Sequence, residues 1–426
     1  MNEPQSPRRM ARETRHDVIV IGGGVAGCAA ALAARRNGCS VLLLEKNCQL
    51  GGLATCGLVN LFVPLCNGNG VPIVRGMAEE FLRMSIRHGY DTLNDAWRDG
   101  PPATPTHLRY ATFFSPHIFT MQLLERLRDE GVDLLFDVVF EDPVCEGGSC
   151  RGVTALCEEG VRFFPAEAVI DASGSSLVFA RAQAPTQLGD NYFSSFGYAV
   201  TLESCADAIK KNNIRHACRW QQGGEADLYG KKHPEKLPLY HGDTSGHVTD
   251  YLVATQLHLL QKLKSTSRTA RDLPAMPGMP QLRTIRRIRG EYTLREDDIY
   301  RHFDDSVTAV GDSERRDSLY EIPFRTMYHR DFHNLIAAGR NISADGYMWD
   351  VTRVIPPAIV TGQAAGCAAA ICCQRRCRVA EIPRDELQRL LRRGGVLLHF
   401  DDAWIPDPPR PGEYSPASHS HPDYRG

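Results

Sequence analysis

Apolar and polar positions along this chain alternate on two periods, one of strands and one of helices. Val18 to Ile21 is an apolar run of strand length. Val25 to Asn37 is an Ala-rich helical stretch stopped by Gly38, and Ser40 to Leu44 is a second apolar run, so the first thirty ordered positions predict a compact βαβ unit. Helix-like segments follow at Gly76 to His88 and Ile118 to Glu130. The second closes at Gly131 before a strand-like run from Val132 to Phe140. Short strands around Gly152 to Leu156 and Val161 to Phe164 lead to Ala168 to Ile170. From Gln187 to Met327 the periodicity weakens and polar loops lengthen, which marks a second domain. The strand Leu335 to Ala338 and a helix from Pro357 to Cys373 return to the first.

The fold class implied is α/β. Residues 17–186 and 328–400 form a discontinuous Rossmann-like domain, and 187–327 an inserted mixed α+β domain. Residues 1–16 and the Pro- and Ser-rich 403–426 are expected as disordered tails. A chain of 426 residues that is 42% hydrophobic sustains a core of that size. Its 49 basic and 51 acidic residues leave a net charge of -2, so no overall field draws it to nucleic acid or an anionic membrane. The Arg-dense run LRTIRRIRGEYTL alternates its charges with Leu282, Ile285 and Ile288, the pattern of a half-exposed strand or helix face. The N-terminus has an Arg8-Arg9 pair but no apolar segment behind it. With no export signal read there and no stretch near transmembrane length, a cytoplasmic protein without a membrane span is expected. Its 14 cysteines should then be mostly free thiols. There is no CxxC pair, and Cys372, Cys373 and Cys377 read as structural, so no metal is expected.

Candidate chemistry begins with Gly22, Gly24 and Gly27, in GxGxxG spacing between strand and helix. Gly22 permits the tight turn, Gly24 lets the backbone approach a pyrophosphate, and Gly27 allows close helix–strand packing; the helix N-terminus faces the anion. Glu45, closing the second strand, suits the hydroxyls of an adenosine ribose and repels a 2′-phosphate. Such a unit serves NAD or FAD equally. Beyond Lys46, the pair Gly51-Gly52 with Leu53 and Ala54 resembles the flavoprotein arrangement, in which the backbone runs along the ribityl and ring portions of FAD. Far downstream a strand ends at Gly339-Arg340, and a helix of small residues with Thr361 follows. Its positive N-terminus suits a reduced flavin, although small residues also serve plain tight packing.

Together with IVRGMAEEFLRMSIRHG, AVIDASGSS, RRIRGEYTLREDDI and LYEIPFRTM, these segments resemble the FAD-dependent oxidoreductase family, which is distantly similar to fumarate reductase and succinate dehydrogenase flavoprotein subunits. The resemblance covers most of the chain. It implies a glutathione-reductase-like FAD domain and FAD bound without a covalent link, with Val139 at the adenine and Ala172, Ser173 and Gly174 near the adenosine and pyrophosphate. ASG stands here where the family usually has ATG. A histidine that members often carry after the AGR segment is missing from Ala344-Asp345-Gly346-Tyr347. The candidates for substrate chemistry are Tyr347, Asp350 and Arg353, just ahead of the flavin-facing helix; a structural Arg353–Asp350 pair explains two of them equally well. His241 and His247 read as a surface loop. Cys56 and Cys66 are too far apart in sequence for the dithiol of disulfide reductases. The expected activity is hydride transfer between flavin and a small organic substrate, with a separate electron donor or acceptor. A flavin monooxygenase and a non-catalytic FAD-binding protein are the alternatives.

Overall fold

The structure, a computed structural model, describes residues 11–12, 14–227 and 229–409. Its centre is a parallel sheet of five strands in the spatial order Asp133–Phe136, Val41–Glu45, His16–Ile21, the C-terminal half of Gly160–Asp171, and Leu335–Ala337. The apolar runs are unbroken because both faces of this sheet are covered, and the two-residue period deals the side chains to them alternately. Val18, Val20, Val41 and Leu43 enter a core shared with the long helices. Ile19, Ile21, Leu42 and Leu44 enter the opposite core.

Helices Val25–Arg36 and Ile355–Arg375 cover the first face. A Cβ on Gly362 would lie 2.1 Å from the Ala26 carbonyl oxygen, and one on Gly366 2.2 Å from that of Ala30, so small residues bring the two helix backbones into direct contact. The second helix starts at Ile355, earlier than its expected start at Pro357, with its prolines in the first turn where no N–H is needed. Contrary to the expectation that no stretch nears transmembrane length, this one described helix is long and apolar enough to cross a membrane. Yet 94% of its apolar window is buried inside the protein, as a central core helix must be.

The second face carries an antiparallel sheet of Val139–Glu146, Ser149–Cys157 and the N-terminal half of Gly160–Asp171. Here two expectations change. The run Val132 to Phe140 is broken at Asp137, whose φ is 56°, into strands that serve different sheets. Conversely, Val161 to Phe164 and Ala168 to Ile170 are one strand of 12 residues that passes from the antiparallel sheet into the parallel one. Exposed Glu167 interrupts its apolar pattern where the sheets change.

Within the inserted region, Cys218–Gln222, Phe196–Thr201 and Arg271–Ala275 form a three-stranded sheet that is antiparallel throughout. Helix Ser245–Lys264 buries Tyr251, Thr255 and Leu259. The later hairpin Ser306–Gly311 and Leu319–Pro323 lies inside the 187–327 boundaries expected for the insertion, but its Val307, Val310, Tyr320 and Ile322 belong to the same core as helix Ile355–Arg375. Both tails also differ from expectation where they are described. Ala11–Arg12 pair in parallel with Arg162 and Phe163, the first sheet strand begins at His16, and Trp404 and Ile405 pack against a small core containing Ile73, Leu319 and Phe400. Residues 1–10, 13 and 410–426 lie outside the described residues.

Candidate active site

The C-terminal ends of the parallel strands open on a cavity of about 470 Å³. Every residue expected to hold the cofactor lines it except Gly27 and Thr361. Gly22, with φ of 98°, makes the turn out of the first strand, and a Cβ on Gly27 would strike its carbonyl oxygen at 1.9 Å. Gly27 therefore acts by letting helix and turn touch. Gly24 is different: a Cβ there meets no protein atom within 4 Å and would project into open space. Thr361 is wholly buried inside its helix; its hydroxyl donates to the Pro357 carbonyl and accepts from the Gly339 N–H at 3.1 Å, so it shapes the Gly339 turn from behind.

Glu45 is buried at the end of its strand, where one carboxylate oxygen accepts the Gly23 N–H at 2.6 Å and the other the Asn47 N–H at 2.8 Å. The acid is thus locked between the two glycine-rich loops. These loops are themselves joined, because the Gly51 N–H donates to the Gly23 carbonyl at 2.7 Å and Gly24 bridges Gly51. Val139 opens its strand half-exposed on the wall, while Lys46 is exposed beside it.

Ala172, Ser173 and Gly174 are set by Asp171, which sequence reasoning did not single out. Its carboxylate accepts from the Ser173 hydroxyl at 2.6 Å and the Val178 N–H at 2.9 Å, and Asn341 donates to it at 2.9 Å. Burial raises the Asp171 pKa against these hydrogen bonds. The signal available was an acid closing an apolar strand ahead of Ala-Ser-Gly. No local signal marks Gly242, Met279, Leu282 and Ile285, which reach the same cavity from the inserted region.

Arg340 donates to the Leu282 carbonyl, and its guanidinium lies 2.8 Å from where a Cβ on Gly174 would stand. Burial, with the charges of Arg353 and Arg283, pushes its pKa down to about 10. Three arginines therefore converge at this end of the site.

A second cavity, of about 570 Å³, meets the first at Leu53, Arg353 and Ile355. Arg353 is the one charged residue common to both walls among the described residues. Its Nε donates to the Asp350 carboxylate at 2.7 Å, so the structural pairing weighed from the sequence is present at the junction itself. Of the three substrate-chemistry candidates, Tyr347 and Asp350 line neither cavity. Both face a separate crevice that also contains Arg353. The Tyr347 hydroxyl donates to Asp312 at 3.0 Å; burial first, then the Asp312 charge, raises its pKa. This locks up the phenol as a structural donor.

His241 and His247 lie on the surface, paired with Asp190 and Asp243. All 14 cysteines are free. Cys56 is raised in pKa by burial and then by Glu45, the opposite of a reactive thiolate. His302 and His399 both contact the buried Glu321 carboxylate, which also accepts the Phe303 N–H at 2.8 Å. This His–Glu–His group lines neither cavity.

The sequence profile of the FAD dependent oxidoreductase family matches residues 17–256 and 249–391. The chain belongs to the FAD-dependent oxidoreductase family. It is therefore an enzyme, and its cofactor is FAD. The chain is also similar to digeranylgeranylglycerophospholipid reductase of Methanoculleus marisnigri, 26% identical over 176 residues that make up 40% of this chain and 41% of that one. It matches the tRNA uridine 5-carboxymethylaminomethyl modification enzyme MnmG of Geotalea uraniireducens at 51% identity over 47 residues, 11% of this chain and 8% of that enzyme. Both matches span less than half of the curated relative. Among solved structures, p-nitrophenol 4-monooxygenase PnpA of Pseudomonas putida aligns with 92% of this chain and 91% of its own, at 14% identity and a TM-score of 0.46.

The residues of the first cavity fit FAD. Open space at Gly24 leaves room for a pyrophosphate against the N-terminus of helix Val25–Arg36, and the Glu45 carboxylate on the same wall offers acceptors that ribose hydroxyls could use.

Proposed function

We propose that this oxidoreductase transfers hydride between the N5 atom of non-covalently bound FAD and a small organic substrate held in the second cavity. The observation that carries this reading is the junction at Leu53, Arg353 and Ile355, where a cavity of ligand size meets the end of the FAD cavity remote from Glu45. FAD supplies the hydride-accepting centre. The protein's part is binding and orientation. Gly22, Gly24 and the first turn of helix Val25–Arg36 hold the phosphates, and Glu45 holds the ribose. Val139 meets the adenine, and Ala172, Ser173 and Gly174 flank the adenosine and pyrophosphate. Gly51 to Ala54 and Gly339 line the ribityl and ring end.

The N-terminus of helix Ile355–Arg375 and the Arg353 guanidinium place positive charge at the junction, which favours the anionic reduced flavin. Arg353 is held in place there by Asp350. Tyr347, committed to Asp312, has no part in this scheme beyond carrying its short helix, and residues about 190–285 form a substrate-binding insertion that closes the site.

The test is spectroscopic. Purified enzyme is expected to show flavin bands that are released on denaturation, and an anaerobic screen of small reductants is expected to find compounds that bleach the bound flavin at a catalytically useful rate. Protein that takes up FAD but is bleached by no organic substrate under any condition would sink the hydride-transfer reading. Stopped-flow mixing of reduced enzyme with oxygen separates it from a monooxygenase: a stable oxygen adduct formed after NAD(P)H-driven reduction would replace it.

A further inference from the structure

The Arg-dense run 282–294 contains one arginine that the fold leaves without a partner. Arg286 faces Asp243 at 3.8 Å, Arg287 pairs with Asp345 at 2.8 Å, and Arg289 donates to Gln187 at 2.7 Å. Among the described residues Arg283 makes no ion pair and no side-chain hydrogen bond, although it is largely withdrawn from solvent. Burial, then repulsion from Arg353, pushes its pKa down to about 10. Asp350, a carboxylate whose charge acts on Arg283, is already engaged by Arg353. An uncompensated guanidinium in such surroundings is costly to the fold, and a site that keeps one is arranged for an anion that arrives from outside.

Arg283 lies on the wall of the second cavity with Arg353. The same wall carries Lys231 and Lys232 against only Glu225 and Asp227. Of those two acids, Asp227 accepts the backbone N–H groups of Tyr229 and Lys231 at 2.9 Å each, which ties it into its own turn. Much of the remaining wall is apolar, with Val59, Leu61, Val63, Phe196 and Trp220 facing the space beside the neutral polar Ser194, Gln222 and Tyr229. The combination is a hydrophobic chamber with a cationic end, and the cationic end adjoins the FAD cavity.

We propose that the second cavity binds an organic carboxylate, its apolar body against Phe196 and Trp220 and its carboxylate on the forked guanidinium of Arg283, with Arg353 beside it. That such a carboxylate is the substrate rests on the proposed function; that it binds here does not. The guanidinium fork of Arg283 can hold both oxygens of a carboxylate through two parallel N–H···O bonds, a geometry that a lysine in its place could not supply. Held there, the carboxylate anchors one end of the molecule while the adjoining carbons lie at the junction with the FAD site.

The test uses the FAD-loaded enzyme with phenylacetate, 3-phenylpropanoate and 4-phenylbutanoate as probes, beside their neutral amides and the phosphonate of the longest. Binding is read by quenching of Trp220 fluorescence, assigned with a Trp220→Phe control, and by the ligand-induced rise in Tm. At least one carboxylate is expected to bind saturably and at least about tenfold more tightly than its amide. Arg283→Met is expected to remove about 30-fold or more of that affinity while the unliganded Tm stays level or rises, and Arg283→Lys to restore part of the binding. Affinity should fall as the pH rises through about 10, where Arg283 loses its charge.

Equal binding of acid and amide, tighter binding of the phosphonate, or no binding by any carboxylate overturns the proposal. A loss of unliganded Tm in Arg283→Met with ligand affinity intact also overturns it, since the arginine would then be structural. The two proposals fail separately. Arg283-dependent carboxylate binding without any flavin bleaching leaves this site standing and removes hydride transfer, whereas bleaching by a neutral compound whose affinity ignores Arg283→Met does the reverse.

Discussion

Single positions in the first glycine-rich turn divide by what a side chain there would meet. A Cβ on Gly24 would face open space and one on Gly27 would meet the Gly22 carbonyl oxygen at 1.9 Å, although both belong to one glycine signature. Gly24→Leu is therefore expected to leave the unliganded Tm within a few degrees while weakening FAD retention by about 100-fold or more, because the new side chain occupies the phosphate space. Gly27→Val should lower stability itself by about 2–4 kcal/mol, since helix and turn must separate to admit it. Urea unfolding of the FAD-free proteins, paired with flavin absorbance after gel filtration, distinguishes them; a large stability loss in Gly24→Leu would contradict the assignment. The glycine spacing and Glu45 were legible in the sequence because their geometry is local. Asn341 was harder to read, because it donates to Asp171 and accepts the Ser176 N–H across 170 and 165 positions of sequence.

Among the elements, three helices meet at one guanidinium. Arg36, ending helix Val25–Arg36, donates to both carboxylate oxygens of Glu80 in helix Met77–Ser85, at 2.8 and 2.7 Å, and to Glu130 at the end of Pro116–Asp129. Burial raises the Glu80 pKa, but the hydrogen bonds and charge of Arg36, with Arg126, outweigh it and leave it below its ordinary value. A carboxylate depressed in the folded state stabilises above its unfolded pKa, and that contribution is lost as the pH falls through the folded value. Glu80→Gln should accordingly cost about 1 kcal/mol at pH 7, a small figure because the group is partly exposed. The gap to the unaltered protein should close as the pH drops below about 4. A gap that persists in acid, measured by denaturant unfolding, would show that Glu80 acts by packing and not by charge. Existence of these helices followed from their apolar periodicity, whereas the single strand Gly160–Asp171 did not, because Glu167 interrupts its pattern as it crosses between sheets.

For the whole molecule, what matters is which distant segments share a core. The hairpin Ser306–Gly311 and Leu319–Pro323 packs with helix Ile355–Arg375, and Trp404 closes over Phe400 and Leu319 beyond the last long helix. Trp404→Ala is expected to cost about 1–2 kcal/mol, less than a fully buried aromatic, while flavin absorbance remains that of the unaltered enzyme. Unchanged thermal stability would mean that residues 403–409 lie passively on the surface. The same long-range assembly builds the junction of the cavities, where Leu53 from the second glycine loop meets Arg353 and Ile355 from the last helical region.

What the sequence by itself determined is the βαβ unit, the glycine-rich turns and the family, because strand and helix periods, positive-φ turns and glycine spacing are written within a few dozen residues of one another. Only the tertiary structure decided that Arg353 stands between two cavities, that Tyr347 is committed to Asp312, and that Arg283, among the described residues, is the arginine of its run with no side-chain partner. Those outcomes depend on which groups meet across tens to hundreds of residues and on how much water is removed from each. Neither quantity has a local period to be read.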